Sequence, residues 1–189
     1  MDQFLDNIYT ETLEKLKSGG RPQIKLHAEL IALIKDQWPQ TIHSLNFKSQ
    51  EEIKLKQILC ILDHCQNSTS ELNDHFINSL KILHKINHHE LIVYCLGASQ
   101  KHVIAESFKS GKMISQDYFD LLKTFLKEGH PEVKEWTLRT IETLGPLSLR
   151  FQKEVLEAKP LFYQLLNRHQ KASHQIIEYL ESEWKRMKL

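Results

Sequence analysis

The chain has 189 residues, 41% of them hydrophobic and 26% charged, with a formal net charge of +1. That length fits one ordinary domain with a single continuous core, and that composition excludes a disordered tail. The near-neutral balance predicts no strong generic attraction to nucleic acid or anionic lipid, and the scarcity of glycine (6) and proline (5) argues against an all-β fold with its many tight turns.

The opening residues, MDQFLDNIYTETLEK, carry early acids and no basic stretch leading into an apolar run, so they do not read as a secretory leader. No apolar run approaches the roughly 20 residues of a membrane span, so the cytoplasm is the expected location and no membrane partner is expected. Cys60, Cys65 and Cys95 form no C-x-x-C pair. They read as small buried hydrophobes in a reducing compartment.

Phe4, Leu5, Ile8, Leu13 and Leu16 lie near helical spacing, and Ser18-Gly19-Gly20 ends this first helix. Pro22 is placed to open a second, whose stripe of Ile24, Leu26, Leu30, Ile31 and Ile34 runs up to Trp38-Pro39. Residues 41–50 are less regular and leave room for a single helical turn. A third long helix follows from Glu51, with Ile53, Leu55, Ile58, Leu59 and Leu62 inward and Lys54, Lys56 and Gln57 largely outward. After the polar break at 66–70, Ser68 and Glu71 have the spacing of a capping box.

Residues 115–145 read as helix, two-residue corner, helix. Ser115 is placed to cap the first helix and Gly129 to end it in a left-handed turn. His130 and Pro131 fall at the N-cap and first position of the second helix, which Gly145 stops. The same pattern occurs 42 residues earlier, since 132 − 90 = 42 pairs Glu90 with Glu132. That shift also pairs Phe76 with Tyr118, Leu80 with Leu122, Leu83 with Phe125, His88 with His130, Leu91 with Val133, Tyr94 with Trp136 and Leu96 with Leu138. A shorter third copy follows at about 39 residues in Phe162-Tyr163-Gln164-Leu165-Leu166 and then Ala172, Ile176, Ile177 and Leu180. Short helical pieces at 102–108 and 148–158 separate the copies.

A period near 42 with two long helices and one short one falls in the HEAT/armadillo class. The segment from Phe151 to Leu166, with its small Ala158 before a Leu-Leu helix, resembles an armadillo repeat, and His130-Pro131-Glu132-Val133-Lys134 is similar to the corner that HEAT and armadillo repeats share. The resemblance covers residues 70–189. It implies an all-α fold, a right-handed α–α superhelix forming a short armadillo/HEAT-like solenoid whose copies share a core with their neighbours. The expectation is a single domain, 1–189. Within it, 1–69 are capping helices or a diverged repeat, 70–114 and 115–158 are repeats, and 159–189 a C-terminal repeat or cap.

Chemistry is sparse. His84 and His88 have metal-binding spacing, but Ile86-Asn87-His88 is where the first helix should end, so the pair straddles a corner. His89-Glu90 resembles the His-Glu motif of HEAT-repeat deoxyhypusine hydroxylases, which would imply a di-iron site. The pair occurs once, with Pro131-Glu132 and Gln170-Lys171 at the equivalent places, so the ligand set is incomplete. No nucleophile elbow, phosphate loop or H-E-x-x-H is present, and Cys95 should point into the core. No cofactor and no catalysis are expected.

A non-catalytic adaptor or scaffold is therefore the expected function, taking a partner protein's peptide or helix on the groove-side second helices. Tyr94 and Trp136 share a register there and are expected to act with Arg139 and Gln175. Core packing between helices is the competing role for the two aromatics. The alternatives are a nucleic-acid-binding HEAT-like protein of DNA-repair type using Lys101, Lys134 and Arg139, and a HEAT-repeat metal-dependent hydroxylase. Glu135, Glu142 and Glu178 on the same helices oppose phosphates and weigh against nucleic acid.

Overall fold

A computed structural model of the chain describes residues 2–44 and 50–187, and all regular structure among the described residues is helical. None of these helices is long and apolar enough to cross a membrane. The chain divides into two compact units, Met1–Met113 and Ile114–Leu189.

The first unit holds α1 (Asp2–Lys17), α2 (Ala28–His43), α3 (Gln50–His64), a 3-10 turn (Ser70–Leu72), α4 (Asn73–Lys85) and α5 (His89–Ser99). From α5 the helix continues without a break through a π-helical segment (Gln100–Ala105) into α6 (Glu106–Ser110). Helix α3 packs against α1, α2 and α5, while α4 packs against α2 and α5. Its core centres on Trp38, whose indole meets the Phe76 ring edge-on at 4.9 Å between centroids and donates to Ser79 Oγ at 2.7 Å.

Pro22 does not open the second helix. Residues 21–27 are non-helical because a partner far along the chain holds them straight. The Asn67 side chain accepts from the Leu26 N–H at 2.7 Å and donates to the Leu26 carbonyl at 2.9 Å, and the Gln66 N–H donates to Ile24 O at 2.7 Å. Helix α2 starts only where His27 caps it, Nδ1 accepting from the Leu30 N–H, and it runs through Pro39 to His43. The irregular stretch expected at 41–50 falls partly on 45–49, which lie outside the described residues. In α3, Ile53 is exposed, not inward. It sits two residues from buried Leu55, about 200° around the helix, so both cannot face one core. The cap after the polar break is Thr69, which accepts from the Glu71 N–H at 3.2 Å. Ser68 donates instead to Glu106.

The second unit holds α7 (Gln116–Glu128), α8 (Pro131–Thr143), a 3-10 segment (Gly145–Phe151), α9 (Gln152–Glu157), a 3-10 turn (Phe162–Leu166) and α10 (Arg168–Met187). Helix α8 packs against both α7 and α10, and α9 against α7. Trp184 repeats the device of Trp38, a fully buried indole donating to a buried serine, Ser148, at 2.8 Å.

The two hairpins correspond position by position at the 42-residue shift. Phe76 and Tyr118, Leu80 and Leu122, Leu83 and Phe125, Leu91 and Val133, and Leu96 and Leu138 are all buried. His88 and His130 are both N-caps, accepting from the Leu91 and Glu132 N–H groups. The corners differ in how they turn. Asn87 takes the left-handed conformation (φ 56°), which asparagine tolerates. Gly129 does not. Its backbone is extended (φ −69°, ψ 151°), so the expected left-handed stop is absent there. Glycine is required for space, because a Cβ would stand 2.3 Å from the Phe125 carbonyl oxygen. Gly129→Ala is accordingly expected to cost about 1–3 kcal/mol by forcing the corner apart. A denaturant melt that did not move would show that the corner yields freely. Ser115 makes no side-chain cap bond, whereas Gly145 is left-handed (φ 55°) and ends α8 as expected.

The third copy departs most. Residues 162–166 form a single 3-10 turn with Phe162, Tyr163 and Leu166 in solvent, not a buried Leu-Leu helix. Six residues between buried Pro160 and the extended Asn167 are too few to turn a second apolar face inward, and Ile176, Ile177, Leu180 and Trp184 of α10 enter the core instead.

Candidate binding surface

Helix α8 begins on the His130 cap with Pro131 in its first turn, where a missing N–H costs nothing. Val133, Thr137, Leu138 and Ile141 fill its buried face, leaving Trp136 half-buried and Arg139 exposed on the other. Between these faces lies the buried Glu135, one helical turn before Arg139. Its Oε1 accepts from Arg139 Nε at 3.0 Å and Nη2 at 2.7 Å. The other oxygen pairs with His169 Nδ1 of α10 at 2.7 Å, and Arg168 Nε donates to His169 Nε2 at 3.1 Å. The proton of a neutral His169 therefore sits on Nδ1, facing the carboxylate. Held this way, the guanidinium lies 5.9 Å from the centroid of the Trp136 ring, within cation–π range.

Trp136 and Arg139 are thus in direct contact. Gln175 is exposed on α10, six residues beyond His169. Tyr94 belongs to the first unit, where it is 45% exposed on α5. The surface around it is laced by charge. Lys56 Nζ reaches Glu52 at 3.0 Å and Glu90 at 2.9 Å, and His88 Nε2 stands 3.6 Å from the same Glu52 oxygen. Burial alone would lower the Lys56 pKa, but hydrogen bonds to Glu90 and Glu52 and their charges hold it above its ordinary value. Burial first, then Cys60 and Tyr94, raises the phenol of Tyr9.

The groups considered for other chemistry are occupied within the fold. Glu90 goes to Lys56, and Lys101 Nζ donates to the carbonyls of Asp63 and Cys65 at the end of α3. Lys134 is lowered from its ordinary pKa by burial. Cys95 is fully buried and its thiol raised by desolvation, and burial pushes Cys65 up to about 11. Cys60, by contrast, is only partly buried. Among the described residues no three His, Cys, Asp or Glu side chains are placed to hold a metal ion.

In the sequence Glu135 reads as a charge opposing phosphate. The Glu135–Arg139 spacing of four is a legible signal for their pairing. Nothing local points to His169, which lies 34 residues further on. No family model, curated protein or solved structure matches this chain.

Proposed function

We propose that the chain is a non-catalytic protein-interaction adaptor, a short right-handed superhelix of armadillo/HEAT-like repeats that takes a peptide or helix of a partner protein on its second-helix faces. The position-by-position correspondence of the two hairpins supports the repeat reading. The observation that carries the binding reading is the Trp136–Arg139 pair. Tryptophan and arginine are the side chains most enriched at interface hot spots. Here the arginine is already fixed over the indole by a buried carboxylate, which is itself held by His169. Fixing it in advance removes part of the ordering cost of association. Gln175 on α10 and, on the first unit, Tyr94 of α5 are the other side chains assigned to partner binding.

A pull-down with the intact chain is expected to yield a specific protein partner that Trp136→Ala and Arg139→Ala no longer retain, each with a loss on the order of 2 kcal/mol in binding. Both substitutions fall on side chains that solvent reaches, so melting curves close to wild type serve as the folding control. Retention of the same partner by both variants would sink this choice of face.

A further inference from the structure

We propose that the turn at residues 161–166 is a peripheral membrane-docking element that inserts its apolar side chains into the interfacial layer of an anionic bilayer. Four side chains carry the observation. Leu161 is 58% exposed, Phe162 91%, Tyr163 69% and Leu166 96%. Four large apolar side chains so exposed within six residues are more than the scattered singles normal on a soluble surface.

Gln164 and Asn167 close hydrogen bonds on the backbone of this turn and of the residues just after it. Gln164 Oε1 accepts from the Leu161 N–H at 2.8 Å, the Gln164 N–H donates to Leu161 O at 2.9 Å, and the Asn167 N–H donates to Gln164 O at 3.0 Å. Asn167 Oδ1 accepts from the His169 and Gln170 N–H groups at 2.9 and 3.3 Å. A segment entering a low-dielectric layer needs its backbone satisfied internally in this way. Both ends of the turn are tied down, by Lys159 to Glu181 at 3.1 Å and by His169 to Glu135 at 2.7 Å. The apolar side chains therefore project from a fixed base.

Charge selects the occupant. Residues 158–177 contain no Asp or Glu, and with Lys159 paired to Glu181 the exposed Arg168 and Lys171 supply the positive charge beside the apolar tip. Aromatic and leucine side chains flanked by cations match the interfacial region of a bilayer carrying anionic headgroups. The net charge of the chain, +1, has no bearing on this local field, which acts within about a Debye length.

The test is sedimentation of the full chain with vesicles of phosphatidylcholine alone and of phosphatidylcholine with phosphatidylserine. Wild type is expected to bind the anionic vesicles preferentially and to lose affinity as salt rises. Phe162→Ser and Leu166→Ser are each expected to weaken binding on the order of tenfold, and Lys171→Glu at least about fivefold. These positions are exposed, so circular dichroism should show unchanged folding. Phe162→Trp is expected to keep binding and to shift its emission to the blue on anionic vesicles. Absence of vesicle binding by wild type, equal binding by the tip variants, or tip-dependent self-association without vesicle binding would each overturn the proposal.

Discussion

Trp38→Ala is expected to cost the first unit about 3–5 kcal/mol, enough to consume much of the stability of a domain this size. The indole is fully buried, fills the space between α2 and α4, and meets Phe76 edge-on. Its removal therefore forfeits the transfer free energy of a large aromatic and leaves a cavity that a close-packed core closes only in part. The same substitution strips Ser79 Oγ of its donor. Ser79→Ala separates the two effects, because it leaves the indole in place with a buried N–H unpaired, for an expected loss of about 1–3 kcal/mol. Denaturant unfolding followed by circular dichroism reads both. A Trp38→Ala loss below about 1 kcal/mol would mean that the α2–α4 packing collapses around the vacancy and that this core is not rigid. Trp184 is the corresponding anchor of the second unit through Ser148.

Neither of these anchors was legible as a pair. The sequence marks Trp38 as the end of an apolar stripe, but a tryptophan–serine bond across 41 residues leaves no local trace. The hairpins were legible for the opposite reason. Their apolar spacing, His caps and corner residues are all local, and the 42-residue shift repeats them, so Phe76 through Leu96 and Tyr118 through Leu138 could be placed from the letters alone. Where a distant group decides the backbone, local reading failed. Asn67 straightens residues 21–27 against the helical spacing of Ile24 and Leu26, and His169 fixes the Glu135–Arg139 pair from another helix. The exposed turn at 162–166 failed differently. Its Phe-Tyr-x-Leu-Leu pattern is that of a core helix, but the backbone, bonded by Gln164 and Asn167, closes into a single 3-10 turn that leaves Phe162, Tyr163 and Leu166 outside.

His102 offers the second large effect, and it comes with a pH signature. The π-helical segment inserted after α5 brings Lys101 and His102 together onto the end of α3, where Lys101 covers the last carbonyls and His102 closes the inside. His102 is fully buried and stacks on Phe76 at 5.7 Å. Its Nδ1 accepts from the Thr69 N–H at 3.3 Å, which requires the proton on Nε2, and Nε2 faces the Leu62 carbonyl at 3.0 Å with Cys65 Sγ 3.6 Å away. A second proton on Nδ1 would point at the Thr69 N–H. Burial first, and the Lys101 charge after it, lower the pKa of His102 below the ordinary value, outweighing the backbone hydrogen bonds and Asp63 that act to raise it. With a depressed folded pKa, the unfolded chain binds the proton first. The stability held by neutral His102 is therefore complete above about pH 6.5, the unfolded value, and drains as pH falls from there toward the folded pKa. His102→Leu leaves the Thr69 N–H unpaired and Leu62 O with only the weak thiol of Cys65 at 3.0 Å. The expected loss at neutral pH is on the order of 2–4 kcal/mol. Below about pH 6.5 the gap between wild type and variant should narrow, since only the wild type pays to keep this site neutral. Denaturant melts of both proteins across pH 5–8 measure that difference directly. A gap that stays constant over the range, or widens toward acid, would mean that His102 accepts its second proton without cost and that the arrangement at the end of α3 is not the one described.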